Sequence, residues 1–214
     1  MTDKLLTDIG EIFPLTPCEA PEFDSFHHDL MKCIAKGYDA EGLGRVSLMT
    51  GSGLVGLMSM TTLIVNPIEI DAPLFNVDLI RVPGKEMLYM ELYDTLLNAR
   101  RNEAPFADLR AEYADIEDIP GKPHWYDDIR YGASVTKAAA GDQKERLHEL
   151  VSRYAGMYLD LLKDARRCDA AAKKAKADAY RDGLLMSGGP ATDAFLKAWR
   201  PEKTGAFFRE VLFG

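Results

Sequence analysis

Cysteine and basic charge are scarce in this chain of 214 residues, and long apolar runs are missing. The three cysteines, Cys18, Cys33 and Cys168, lie far apart with no Cys-x-x-Cys spacing. That odd, scattered set excludes a disulfide miniprotein and reads as free thiols in a reducing or indifferent compartment. Lys and Arg total 26 against 34 Asp and Glu, a formal charge of −8. So acidic a chain lacks the basic surface that general nucleic-acid binding needs, although local basic patches stay open. The weakly polar stretch 54–65 falls short of the ~20 residues that a bilayer span requires. The first residues carry acids where a signal peptide carries bases. A soluble, cytoplasmic protein without nucleic-acid or membrane partners is expected.

Hydrophobic residues make up 47% of the chain. That suffices for one domain over 1–214, whose folding buries roughly 70% of the unfolded surface. Phe23, Phe26, Leu30, Cys33 and Ile34 recur at helical spacing before Gly37, which predicts a short helix over 21–36. His27 and His28 would then point to different faces, with no third ligand spaced to make a metal site. Strands are predicted over 45–50, 54–65, 74–82 and 87–94, separated by Gly51-Ser52-Gly53, Asn66-Pro67 and Pro83-Gly84. Such short connections make an antiparallel meander. In the last of these strands Leu88, Met90 and Leu92 face one way, and Tyr89, Glu91 and Tyr93 the other. A further strand is predicted over 129–137.

The last third reads as helix. Asp142 followed by Glu145 has the form of a capping box, and an apolar stripe at helical spacing follows over 147–162. An exposed helix is expected over 166–181, broken at Ser187-Gly188-Gly189. Two short helices then open at Pro190 and Pro201.

One motif is a decoy. Gly51-Ser52-Gly53-Leu54-Val55-Gly56 matches G-x-G-x-x-G, with Asp71 at a spacing that suits a dinucleotide site. Such a site requires the glycines to open a helix, whereas a strand-like apolar run follows here. The segment reads as a hairpin turn.

The segment 68–80 is more specific. Pro73-Leu74-Phe75-Asn76-Val77-Asp78 resembles the sheet signature of the ferredoxin-dependent bilin reductases, x-Pro-hydrophobic-Phe-x-x-Asp. The chain's end, Phe207-Phe208-Arg209-Glu210-Val211-Leu212-Phe213, resembles the family's C-terminal helix with its Val-Leu-Phe ending. Pro123-His124-Trp125 resembles its Pro-x-Trp element. The similarity runs from about Gly42 to Gly214, weakly through the helices. It implies an α/β fold, a three-layer α/β/α sandwich with a central, mainly antiparallel sheet. It further implies biliverdin or a related linear tetrapyrrole bound between the sheet and the C-terminal helices. No bound cofactor and no metal is implied: reduced ferredoxin (or flavodoxin) would deliver electrons singly, and the protein would supply protons to a bilin radical. The tetrapyrrole then carries the electronic chemistry, while the protein orients it and sets the electrostatics.

Asp78 matches the family's sheet aspartate, which implies a proton donor. Alternation along 74–80 sets Phe75, Val77 and Leu79 on one face and Leu74, Asn76, Asp78 and Ile80 on the other. A carboxyl beside Leu74 and Ile80 is costly unless hydrogen-bonded or protonated. Burial against an apolar ligand would raise its pKa toward neutrality, where proton donation is efficient. The alternatives are an edge aspartate facing water, or one paired with Arg81 or Arg45. Asn76 is a candidate for a pyrrole N–H or lactam oxygen, or an ordinary polar side chain. Arg45, Arg81, Lys137 and Arg181 are candidates for the substrate's propionates, or surface charges. Tyr89, Tyr93, Trp125, Tyr131 and Trp199 are stacking candidates, or core. Arg166-Arg167 with Lys173-Lys174 and Lys176, and separately Arg100-Arg101, are candidate docking patches for an acidic ferredoxin, or solvated faces.

The chain also departs from the family pattern. The family's strand histidine falls at Thr61, kept as a substrate-binding candidate. Its glutamate falls near Met49 and its second acid at Gly188-Gly189. One retained donor fits a single two-electron step or a changed substrate. By analogy with family members that stop there, a 15,16-dihydrobiliverdin-like product is expected, and separately a monomer. A tetrapyrrole carrier or sensor without catalysis is the competing reading, and a reductase of chlorophyll breakdown products a third. Fold alone does not separate them.

Overall fold

The computed structural model describes residues 2–28, 31–98 and 102–214, with the side chain of His28 excepted. Helix α1 (Thr2–Ile12) leads into β1 (Leu15–Pro17), β2 (Phe26–His28), β3 (Met31–Ala40), β4 (Gly44–Gly53) and β5 (Met58–Pro67). Then come β6 (Leu74–Val82), β7 (Lys85–Tyr93), α2 (Ala104–Ala111), β8 (Glu117–Asp118) and β9 (Val135–Ala140). Helices α3 (Gln143–Asp164), α4 (Ala170–Ser187), α5 (Pro190–Ala198) and α6 (Pro201–Phe207) follow, and a π-helical turn (Phe208–Leu212) ends the chain. The strands form one antiparallel sheet ordered β1-β3-β4-β5-β6-β7-β9-β8, with β2 also paired to β3. Among the described residues no helix is long and apolar enough to cross a membrane.

The central meander follows the alternation in the sequence. Phe75, Val77, Leu79, Leu88, Met90 and Leu92 sit in one buried cluster with Leu147, Leu150, Tyr154 and Tyr158 of α3. The Phe75 and Tyr158 rings lie 4.4 Å apart, and the Tyr158 hydroxyl donates to the Pro73 carbonyl at 2.9 Å. Met49, Ile64, Leu74 and Tyr93 belong to a second cluster, with Tyr180, Phe195, Phe207, Phe208 and Phe213 from the C-terminal helices and tail.

Several local expectations are corrected. The helix over 21–36 is instead the β2–β3 hairpin and its approach. Phe26 pairs with Cys33, and along β3 Cys33, Ala35 and Gly37 are buried while Lys32, Ile34 and Lys36 are exposed. Pairing with β4 thus imposes period two on residues that also fit a helical period. Gly37 lies inside β3, where a Cβ would stand 2.8 Å from the Val211 carbonyl oxygen. The strand over 129–137 begins only at Val135, because 131–134 is a turn closed by Ser134 N–H on the Tyr131 carbonyl. Asp142 precedes α3 without a side-chain cap, so the capping box does not form. Helix α4 starts later than expected, at a cap the reading missed: Asp169 accepts from the N–H groups of Ala171 and Ala172 at 3.0 and 3.1 Å. Nor is α4 simply exposed, since Lys173, Ala177, Tyr180, Arg181 and Leu184 are buried. No helix opens at Gly53. The β4–β5 connection is one 3₁₀ turn, Leu54–Gly56, as a hairpin requires.

Candidate functional site

Cross-strand register builds the site. Ala35, Met49, Thr62, Asp78, Tyr89 and Thr136 form one row across five strand pairings, all on the same face. On one side the next row runs Gly37, Ser47, Ile64, Asn76 and Glu91, lying under the C-terminal cover. On the other side lie Met60, Ile80 and Met87, which with Tyr89 are only half-buried. These four side chains make an apolar shelf three strands wide, about 10 Å. Asp78, itself half-buried, stands at its inner edge.

The carboxyl is held from two directions. Thr62 Oγ1, directly opposite on β5, donates to Asp78 Oδ1, and Asn76 Nδ2 donates to Oδ2 at 2.7 Å. Burial pushes the Asp78 pKa up, the Thr62 and Asn76 hydrogen bonds pull it back, and the negative charge of Glu91 pushes it up again. Its net position is above the ordinary carboxylate range. Tyr89, its partner on β7, is raised as well, first by burial and then by the charges of Asp78 and Glu91. A carboxyl shifted in this direction moves toward the range suited to a general acid.

The inner rows are roofed by the chain's end. Ser47 Oγ donates to the Leu212 carbonyl at 3.1 Å, and Asn66 Nδ2 donates to the Phe213 carbonyl at 2.8 Å. Tyr180 of α4 packs on Tyr93 with the rings tilted and 4.5 Å apart, and Trp125 Nε1 ties the preceding loop to the Gly188 carbonyl at 2.9 Å. Of the five aromatic candidates only Tyr89 borders the shelf. Tyr93 and Trp199 pack in the second cluster and Tyr131 in the first.

The structure brings together Asp78 and Asn76 and disperses the other candidates. Thr61 pairs with Leu79 and so faces the opposite side; the neighbour of Asp78 is Thr62. Arg81 is also on that opposite side, paired with Glu86 at 3.1 Å, which meets His148 of α3 at 2.6 Å. Lys137 is fully buried there, donating to the Ile116 carbonyl at 2.8 Å and to Asp118 at 3.0 Å. Arg181 is buried on α4 between Asp178 at 2.7 Å and Asp182 at 2.9 Å. Arg45 shares the Asp78 face but lies beneath the chain's end, paired with Asp39 at 3.3 Å and donating to Cys18 Sγ. Two cavities, of about 430 Å³ beside Cys18 and Lys36 and about 350 Å³ beside His124 and Gly188, lie away from the shelf.

The basic patch on α4 is also redrawn. Lys173 has no exposed surface and donates to the carbonyls of Ala72 and Thr95 and to Thr95 Oγ1. Arg167 pairs with Glu69, Lys174 with Asp178, and Lys176 donates to the Leu96 carbonyl. Arg100-Arg101 lies outside the described residues.

The reading of the sequence missed Thr62 and Glu91. Both were within reach of a pairing argument: Val65 opposite Phe75 sets Thr62 opposite Asp78, and Leu92 opposite Phe75 sets Glu91 opposite Asn76.

No family model and no curated protein matches the sequence. Among solved structures, the crystal structure of phytochromobilin synthase from tomato in complex with biliverdin superposes with a TM-score of 0.70. The superposition covers 97% of this chain and 79% of that one, at 14% sequence identity. The likeness is one of fold, and the chain has the fold of that synthase.

Proposed function

We propose that the chain binds biliverdin or a related linear tetrapyrrole on the Asp78 shelf and reduces it by two electrons, taken singly from reduced ferredoxin. In this reading the fold works as a three-layer α/β/α sandwich, with the substrate between the sheet and the C-terminal helices. One observation carries it: a half-buried carboxyl pushed toward its neutral form stands at the edge of an apolar shelf. The fold is shared with a synthase crystallised with biliverdin.

The reaction adds two electrons and two protons to the bilin. Asp78 gives its proton to the one-electron-reduced bilin. Thr62 and Asn76 then hold the resulting carboxylate through the hydrogen bonds already in place. A proton from solvent recharges Asp78 before the second electron arrives. The proposed product is a two-electron-reduced dihydrobilin of the 15,16 type.

A second reading is favoured by the row of Asp78, in which the β4 and β5 members, Met49 and Thr62, are not acids. In that case the protein is a tetrapyrrole carrier or sensor. The test is to add biliverdin, follow its visible spectrum, and then supply reduced ferredoxin without oxygen. A spectral shift followed by bleaching and a transient radical signal supports reduction. A shift without bleaching supports the carrier, and no shift rejects both.

A further inference from the structure

Glu91 is a buried carboxyl, 9% exposed, that the proposed reaction leaves idle. It stands directly opposite Asn76, the residue that holds Asp78 Oδ2, and diagonally from Asp78 itself. Its two oxygens are taken separately: Tyr93 Oη donates to Oε2 at 2.9 Å and Arg130 Nη1 to Oε1 at 2.9 Å. Arg130 is in turn paired with Asp127 at 2.8 Å. Two donors on two oxygens fix its place. Structural economy does not explain the arrangement, since an ion pair in such a place is no more stabilising than a well-packed apolar pair.

We propose that Glu91 is a positioning residue for the Asp78 proton: clamped by Arg130 and Tyr93, its charge keeps Asp78 in the proton-bearing form. Among the described residues the groups facing Asp78 are few. Thr62 on β5 and Asn76 on β6 are neutral donors that favour its carboxylate. Tyr89 on β7 and Tyr180 on α4 have hydroxyls that burial raises, so both stay neutral. Glu91 is therefore the negative charge in this set that opposes ionisation of Asp78. Arg130 moderates that field without cancelling it, because its backbone bridges to Tyr93, beyond Glu91 from Tyr89, and its charge is shared with Asp127.

The inference deepens the proposed reaction and, in its consequence for turnover, rests on it, but its test needs no bilin. The carboxylic-acid stretch of Asp78 is identified in the infrared spectrum of the whole protein by difference against Asp78→Asn. Its titration is then followed in wild type, Glu91→Gln and Arg130→Gln. Glu91→Gln should move the midpoint down by roughly 1.5 pH units, the size expected for charges about 7–8 Å apart at an effective dielectric of about 20. Arg130→Gln should move it up, because the field of Glu91 is then unmoderated. A general loosening of the site would move both variants the same way, toward the value in water. Midpoints that fall in both variants, or stay in both, overturn the proposal. If biliverdin reduction is then observed, the pH limb of turnover set by Asp78 should shift with the infrared midpoint in Glu91→Gln. Opposite midpoint shifts without any bilin turnover would uphold this inference while rejecting the reductase reading.

Discussion

Thr62 and Asp78 face each other across β5 and β6, and the threonine hydroxyl donates to the aspartate carboxyl. The pair joins the sheet's register to the chemistry of the shelf. Asp78→Asn keeps the shape and can still accept from Thr62, so bilin binding should survive with a normal spectral shift. Turnover should fall by a factor of roughly 10²–10⁴, the usual worth of a general acid. Electrons still arrive, so a bilin radical should accumulate and be visible by electron paramagnetic resonance. Unchanged turnover would show that water or another acid supplies the proton.

The same carboxyl makes stability depend on pH. In acid both the folded and the unfolded chain carry the Asp78 proton. As pH rises through the ordinary carboxyl range the unfolded chain releases it first, because the folded value is raised by burial. Stability contributed by this group is therefore present in acid and lost as pH climbs toward the folded value. Asp78→Asn has no such loss. Its urea midpoint relative to wild type should rise between pH 4 and pH 7; a constant difference would mean that Asp78 is ionised in the fold.

Elements with a local signature were legible in the sequence. The alternation of Leu88, Met90 and Leu92 with Tyr89, Glu91 and Tyr93 appears as two faces of β7, and Pro190 and Pro201 open α5 and α6. Distant pairing was not legible. Phe26, Cys33 and Ile34 fit a helical period as well as a strand, and pairing of β3 with β4 decides between them. A shift of one residue exchanges Thr61 for Thr62 at the site, because neighbouring strand residues face opposite sides. Lys137, Lys173 and Arg181 look like surface charges because long-range partners bury two of them. The Ile116 carbonyl holds Lys137 and the Ala72 carbonyl holds Lys173, while Asp178 and Asp182 neutralise Arg181 locally.

Lys173 clamps α4 to the chain just before β6 and just after β7 through three acceptors on Ala72 and Thr95. Lys173→Met should cost on the order of 3 kcal/mol at pH 7, because buried acceptors lose their donor. Burial draws the amine down to about 8 from 10.5. The unfolded chain therefore holds this proton between those values while the folded chain releases it, so the group's contribution to stability rises with pH there. Wild type should gain relative to Lys173→Met from pH 8 to pH 10 in urea melts. A flat difference would refute the shift.

The roof over the inner rows depends on two side chains of the sheet. Asn66→Ala should cost roughly 1–3 kcal/mol by leaving the Phe213 carbonyl without its donor, and Ser47→Ala a similar amount at Leu212. Both should speed proteolysis of the C-terminal segment under native conditions and weaken biliverdin binding together. Loss of stability with the tail's protection unchanged would show that the roof is held from α4 alone.

The β4–β5 turn carries strain that one substitution should release. Leu54 and Val55 both have left-handed backbone, with φ of 48° and 55°, and Val55 is fully exposed. A β-branched residue pays about 1–2 kcal/mol there, since its Cβ crowds the following carbonyl. Nothing packs on the Val55 side chain to offset that cost. Val55→Gly should therefore stabilise the protein by about 1 kcal/mol, somewhat less than the strain because glycine gains freedom in the unfolded chain. Val55→Ala keeps the Cβ and should recover only a small part. The order glycine above alanine above valine, read from urea midpoints, checks the argument. A Val55→Gly variant less stable than wild type would mean that the turn is not left-handed at this position.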